Sequence, residues 1–284
     1  MARELIDRPT PELVRPSRLG FADARIEVHI LGPLRVVDDR GRDLGVRRPL
    51  EQAALVRLAL AGGVPVPDVR LVADLWGDEV LTRPIQRLRV LISRLRTTLG
   101  EHGGAVTRSR SGYRTTVPVA DVIAVEAAAA PVYAAQRAGH HAAVRSAAED
   151  ALRWWRGPTL AGVTSAPFAR AESTRLEQWR LALTVARLDA TLRLDSGAEI
   201  VAELAALVRE HPQHEQLARL YALTLYRTAS QADALDRLHR LRRALSDELG
   251  VDPTPETTEL ELRMLRHDPS LQPLRARYVI EVAG

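Results

Sequence analysis

Arg83, Arg87, Arg89, Arg94, Arg96, Arg108, Arg110 and Arg114 share their stretch of chain with a single acid, Glu101, so eight cations minus one anion give a local net of +7. The whole chain nets only +4. A guanidinium is planar, always charged, and forked to meet phosphate oxygens or the edge of guanine. Concentrated positive charge of this kind is chemistry for binding a polyanion. Catalytic chemistry finds no comparable support. Cys is absent, which excludes thiolate nucleophiles, disulfides and thiolate-held zinc. His211 with His214 and His140 with His141 lack carboxylates at ligand spacing, so no metal site is expected. There is no Gly-rich phosphate loop and no nucleophilic Ser motif. Asp38-Asp39 sits on a sheet turn without the α/β surroundings of a phospho-acceptor. No enzyme and no cofactor is expected.

The elements that carry these arginines read as a helix and then a hairpin. On a helical wheel from Pro84 to Leu99, Ile85, Leu88, Ile92, Leu95 and Leu99 fall on one stripe, the core face. Arg83, Gln86, Arg87, Val90, Ser93, Arg94 and Thr97 fall opposite. That face suits a major groove: Arg can donate twice to guanine, Gln can pair with adenine, and Val can touch a thymine methyl. Arg89 and Arg96 flank the stripe, where phosphates would lie. Residues 105–108 and 113–117 pair across Ser109 to Gly112 as a wing bearing Arg108, Arg110 and Arg114. Arg47 and Arg48, ahead of the first helix, are further phosphate candidates. Trp76 reads as core, and Tyr113 as the apolar foot of the wing. A basic helix alone is as compatible with a solvated surface; helix and wing together favour a DNA reader.

Around this core the organisation is bipartite. Every one of the 40 basic residues is Arg, and aromatics make up only 4%, so the cores must be Leu, Val and Ala. Residues 1–117 carry 20 Arg and 14 acids, net +6, and residues 118–284 carry 20 Arg and 22 acids, net −2. Nucleic acid in front and protein partners behind is the implied division. Residues 1–25, with Pro9, Pro11 and Pro16, read as a flexible arm. Residues 26–117 read as a winged-helix DNA-binding domain. It opens with strands at Ile26–Ile30, Leu34–Val37 and Asp43–Val46. Helices follow from Leu50 to Ala61, from an Asp68 N-cap to Trp76, and from Pro84 to Leu99. From 118 to 284 the pattern is helical, broken at Gly139, Gly157-Pro158, Gly197, Pro212, Ala229-Ser230 and Gly250. Leu183 with Leu217, Glu199 with Asp233, Leu204 with Leu238 and Leu207 with Leu241 repeat at the spacing of tetratricopeptide helix pairs. Trp154, Trp155, Trp179, Tyr221 and Tyr226 read mainly as packing, with a peptide groove between helix pairs as the alternative. The fold class is therefore mainly α: an N-terminal winged helix-turn-helix with small antiparallel sheets, then an all-α repeat domain. No apolar run approaches a membrane span and no signal peptide is recognised. A cytoplasmic, nucleoid-associated protein is expected.

Several short motifs stand in a recognisable order: Leu31-Gly32-Pro33-Leu34-Arg35-Val36, Leu75-Trp76-Gly77-Asp78, Ile92-Ser93-Arg94-Leu95-Arg96 and Gly112-Tyr113. The chain to this point resembles the OmpR-type winged helix of the Streptomyces antibiotic regulatory proteins. The second half is similar to their bacterial transcriptional activator domain, through Trp155-Arg156-Gly157-Pro158, Leu223 to Arg227, and Asp247-Glu248-Leu249-Gly250-Val251-Asp252-Pro253. The resemblance covers roughly residues 26–270. Arg83-Pro84 stands where the family more often has small residues, Thr115 where Leu is common, and Ala229 where Gly is usual. The resemblance implies a sequence-specific activator that binds direct repeats of double-stranded DNA near a promoter as a homodimer. It further implies recruitment of RNA polymerase through its sigma factor and alpha subunits, at a secondary-metabolite cluster. A repressor or ligand-gated regulator of the same fold, or a helical scaffold docking an acidic protein, are the alternatives.

Overall fold

The computed structural model describes residues 25–272 apart from Ser196 and Ala229. The expected N-terminal arm, but for Arg25, and the turn position at Ala229 lie outside the described residues. The chain is mostly helical, with two small antiparallel sheets in its first part. Its described residues divide into two compact units, one formed by residues 25–124 with 154–177, the other by 125–153 with 178–272.

In the first unit, β1 (Ile26–His29) pairs antiparallel with β2 (Arg35–Asp38), and Val28 faces Val36. Alternation buries Ile26, Val28, Ile30 and Val36. The third strand expected at 43–46 reduces to one bridge, Asp43 to Val37. Asp38 dominates this corner: its buried carboxylate accepts from the Arg40 and Arg42 amides and the Arg42 guanidinium, so the chain turns instead of extending. Three helices follow: α1 (Pro49–Ala59), α2 (Asp68–Trp76) and α3 (Pro84–Thr98). A short 3-10 turn at Gly100–Ala105, which the pattern did not indicate, leads into the hairpin of β3 (Val106–Ser109) and β4 (Gly112–Thr115).

The first unit is completed from further along the chain. The Leu31 amide donates to the buried Asp121 carboxylate at 2.8 Å, and its carbonyl accepts from the Arg156 amide at 2.7 Å. Leu160 donates to the Ile30 carbonyl at 2.8 Å, and Pro33 bridges to Ala161. Gly32 makes this approach possible, because a Cβ there would meet the Arg156 Cβ at 3.0 Å. The Leu31-Gly32-Pro33 and Trp155-Arg156-Gly157-Pro158 motifs are thus two sides of one joint. Residues 154–177 add the fully buried Leu160, Val163, Ala169 and Leu176. A cut at residue 118 therefore does not follow the compact units, because hydrogen bonds of this joint reach across it.

Among the described residues of the second unit, every element is a helix. The unit contains most of α4 (Ala120–Arg137), all of α5 (His141–Leu152), and the C-terminal part of α6 (Pro167–Leu194). Then come α7 (Val201–Glu210), α8 (Glu215–Arg227), α9 (Gln231–Leu249) and α10 (Pro255–Leu265). The repeat positions are its core: Leu183, Leu204, Leu217, Leu238 and Leu241 are all buried, and Leu207 packs against the cluster that holds Leu204 and Leu217. Helices α8 and α10 are joined by Glu215, whose carboxylate accepts from the Thr254 amide and from the hydroxyls of Thr254 and Thr257. Those contacts satisfy the start of α10 from a neighbouring helix, in place of a local cap.

Candidate nucleic-acid interface

Helix α3 is held by its inner face. Leu88, Ile92, Leu95 and Leu99 are buried, as is Leu91, and Ile85 is half-buried. Thr98 donates to Glu51 of α1 at 2.8 Å, and Arg57 of α1 pairs with the buried Asp74 of α2. The helix begins abruptly. Pro84 occupies its first turn, and Arg83 before it is left-handed, with φ 56° and ψ 59°. Proline disfavours right-handed helical backbone in the preceding residue, and the left-handed alternative costs a non-glycine residue about 1–2 kcal/mol.

The outer face of α3 is as the wheel placed it. Arg83, Gln86, Arg87, Val90, Ser93, Arg94 and Thr97 are all exposed. Thr97 turns its hydroxyl back to the Ser93 carbonyl at 3.1 Å. Among the described residues, the guanidiniums of Arg83, Arg87, Arg89 and Arg94 have no hydrogen-bond or ion-pair partner, and the same holds for those of Arg110 and Arg114 on the wing. Six cations on one helix and its adjoining hairpin are thus left unneutralised, with no acid in the first turn of α3.

The remaining expected contacts are engaged inside the protein. Arg108 directs Nη1 to both carboxylate oxygens of Asp68, at 2.6 and 2.8 Å, and lies 4.5 Å above the Tyr113 ring. The Asp68 hydrogen bond holds the Arg108 guanidinium pKa above its usual value. Asp68, expected as the N-cap of α2, makes no cap bond; Pro67 holds that place, and the carboxylate serves the wing. Arg96 donates Nε to the Val106 carbonyl at 2.9 Å, fastening α3 to the start of β3. Arg47 pairs with Asp43 at 3.2 Å and Arg48 with the buried Glu51 at 3.1 Å. These two stay exposed, yet an adjacent acid offsets each charge. Sequence spacing could not reveal the Asp68–Arg108 contact, because its partners are 40 positions apart.

The wing is seated on the α1–α2 link. Val66 and Tyr113 exchange backbone hydrogen bonds at 2.7 and 3.0 Å. Tyr113 is buried as the foot of the hairpin, and Trp76 is half-buried. Gly112 is required by closeness, since a Cβ there would lie 2.0 Å from the Val66 carbonyl oxygen. Thr115, which stands in place of the common Leu, is buried and donates to the Ala105 carbonyl at 2.8 Å. In the second unit Trp179 is buried and donates to the Tyr133 hydroxyl at 3.2 Å, and Tyr221 and Tyr226 pack against apolar clusters. Among the described residues no cluster of His, Asp or Glu could hold a metal ion, and no helix is long and apolar enough to cross a membrane.

An exposed basic helix with its adjoining hairpin in the first unit, and paired helices in the second, fit a transcriptional regulator, and comparison with known proteins agrees. Residues 120–265 match the bacterial transcriptional activator domain. The chain is 38% identical over 264 residues to the regulatory protein AfsR of Streptomyces griseus, a match covering 92% of this chain and 26% of AfsR. It is 31% identical over 259 residues to the regulatory protein DnrI of Streptomyces peucetius, covering 87% of this chain and 94% of DnrI. The solved structure of Mycobacterium tuberculosis EmbR, in complex with a low affinity phosphopeptide, superposes with a TM-score of 0.75 at 28% identity, covering 86% of this chain and 66% of EmbR. The chain spans about a quarter of the length of AfsR. It belongs to the family of Streptomyces antibiotic regulatory proteins, transcriptional regulators that carry the bacterial transcriptional activator domain.

Proposed function

We propose that this regulator is a sequence-specific DNA-binding activator. Helix α3 enters the major groove with Gln86, Arg87, Val90, Ser93 and Arg94 toward base edges, while Arg83, Arg89, Arg110 and Arg114 meet phosphates. The single observation that supports this most is the set of six unpartnered guanidiniums on α3 and the β3–β4 wing. A protein surface that was only solvated would gain by pairing some of them, whereas a surface that meets a polyanion must leave them free. Two copies sit on direct repeats of one promoter, because one winged helix makes few base contacts and a second raises affinity through effective concentration. The helical unit recruits RNA polymerase through its sigma factor and alpha subunits. The regulated genes form a secondary-metabolite cluster, as the resemblance to the antibiotic regulatory proteins implies.

Genome-wide footprinting combined with transcription by purified polymerase tests this. Protected direct repeats upstream of a promoter, with more transcript on adding protein, are the expected result. Protection with less transcript would make the protein a repressor.

A further inference from the structure

At the outer face of α3 lies a cavity of about 530 Å³ that joins arginines of the proposed DNA-reading face to Leu50 and Trp76, which that reading does not use. Leu50 from the start of α1 and Trp76 from the end of α2 line it, together with Val90 and Leu91 of α3. Leu50 is 40% and Val90 45% exposed, so apolar surface is presented to water inside a concavity. The same cavity is lined by Arg83, Arg87 and Arg94, and by no acid. Leu50 has no side-chain hydrogen-bonding group with which to read a base edge. The volume is that of a small-molecule site. Guanidinium groups pair with carboxylates and stack on aromatic faces, while Trp76 and Leu50 offer the dry surface that a flat ring would cover.

We propose that this cavity binds an aromatic carboxylate, its ring against Trp76, Leu50 and Val90 and its carboxylate among the three guanidiniums. The ligand uses Arg83, Arg87 and Arg94, so occupancy by the acid and binding of DNA are mutually exclusive. This second statement rests on the DNA reading given above; the first does not. The device would make the regulator sensitive to aromatic acids directly at its reading face, with no conformational relay.

Titration calorimetry of the full chain with 2-naphthoate at low ionic strength is the test, with 2-naphthamide as the neutral control. The expected result is saturable one-site binding, weakened about tenfold for the amide and for Leu50→Asp. Thr82→Glu, altering another exposed lining residue, should weaken it likewise. Circular dichroism of both variants checks the fold. Equal binding of acid and amide, or binding unchanged by both substitutions, overturns the site. Addition of a duplex of about thirty base pairs, long enough for two adjacent half-sites, should displace the naphthoate. A duplex that binds while naphthoate is never taken up ends the cavity proposal and leaves DNA reading intact. Naphthoate and duplex bound together keep the cavity and remove DNA from this face of α3.

Discussion

Arg108 and Arg110 stand two positions apart on the wing in different electrostatic surroundings. Arg108 is held by Asp68 and covers Tyr113, whereas Arg110 is exposed without a partner among the described residues. Arg110→Ala should therefore lower affinity for all duplexes alike and flatten the salt dependence by about one unit; a loss confined to one sequence would show that Arg110 reads bases. Arg108→Ala should act through the protein. A double-mutant cycle with Asp68→Asn is expected to give a coupling near 1 kcal/mol in unfolding, the upper end for an exposed pair. Additive effects would contradict the pairing. The exposed face of α3 was legible in the sequence because helical period alone separates Arg87 and Arg94 from Leu88 and Leu95. The engagement of Arg96 and Arg108 was not, because their partners lie on other elements and charge spacing carries no record of them.

Elements fix where those residues point. The wing meets the α1–α2 link so closely at Gly112 that Gly112→Ala should destabilise the protein by roughly 3 kcal/mol, through overpacking against the Val66 carbonyl. Chemical denaturation measures this, and a neutral outcome would mean the hairpin can shift. In the second unit, α8 is capped by His214, whose Nδ1 accepts from the Leu217 amide at 3.3 Å. Burial lowers the His214 pKa from 6.5. Because the unfolded chain then binds the proton more readily, the contribution is complete above pH 6.5 and is lost as pH falls below it, through the depressed native pKa. Unfolding midpoints from pH 8 to 5 should fall more steeply for the wild type than for His214→Asn, which can cap without titrating. Parallel curves would contradict this role. Boundaries of α1 and α3 were legible from Gly and Pro signals. The 3-10 turn after Leu99 and the loss of the third strand were not, because Gly103 and Asp38 act through contacts that local pattern does not encode.

At the scale of the molecule, the first unit depends on residues 154–177. Leu160, Val163 and Leu176 contribute about 1.5–3 kcal/mol each by burial, against a typical net stability of about 5–15 kcal/mol. A fragment ending at residue 118 should consequently be unfolded or expose apolar surface, seen as dye binding and weak amide dispersion in NMR spectra. A well-dispersed spectrum from that fragment would show the first unit to be self-sufficient. The sequence repeat found the helix pairs, because Leu204 and Leu238 keep their spacing. It could not show that Arg156 and Leu160 return to the strand region, since that joint is a long-range one.

Selection from a randomised duplex library measures the central claim most directly, with wild type compared to Gln86→Ala and Arg87→Ala. The wild type should enrich a repeated sequence. Each variant should relax the preference at defined positions, with about 1–3 kcal/mol lost on the selected site. An identical enriched sequence from all three proteins would contradict it, because the outer face of α3 would then not be what meets the bases.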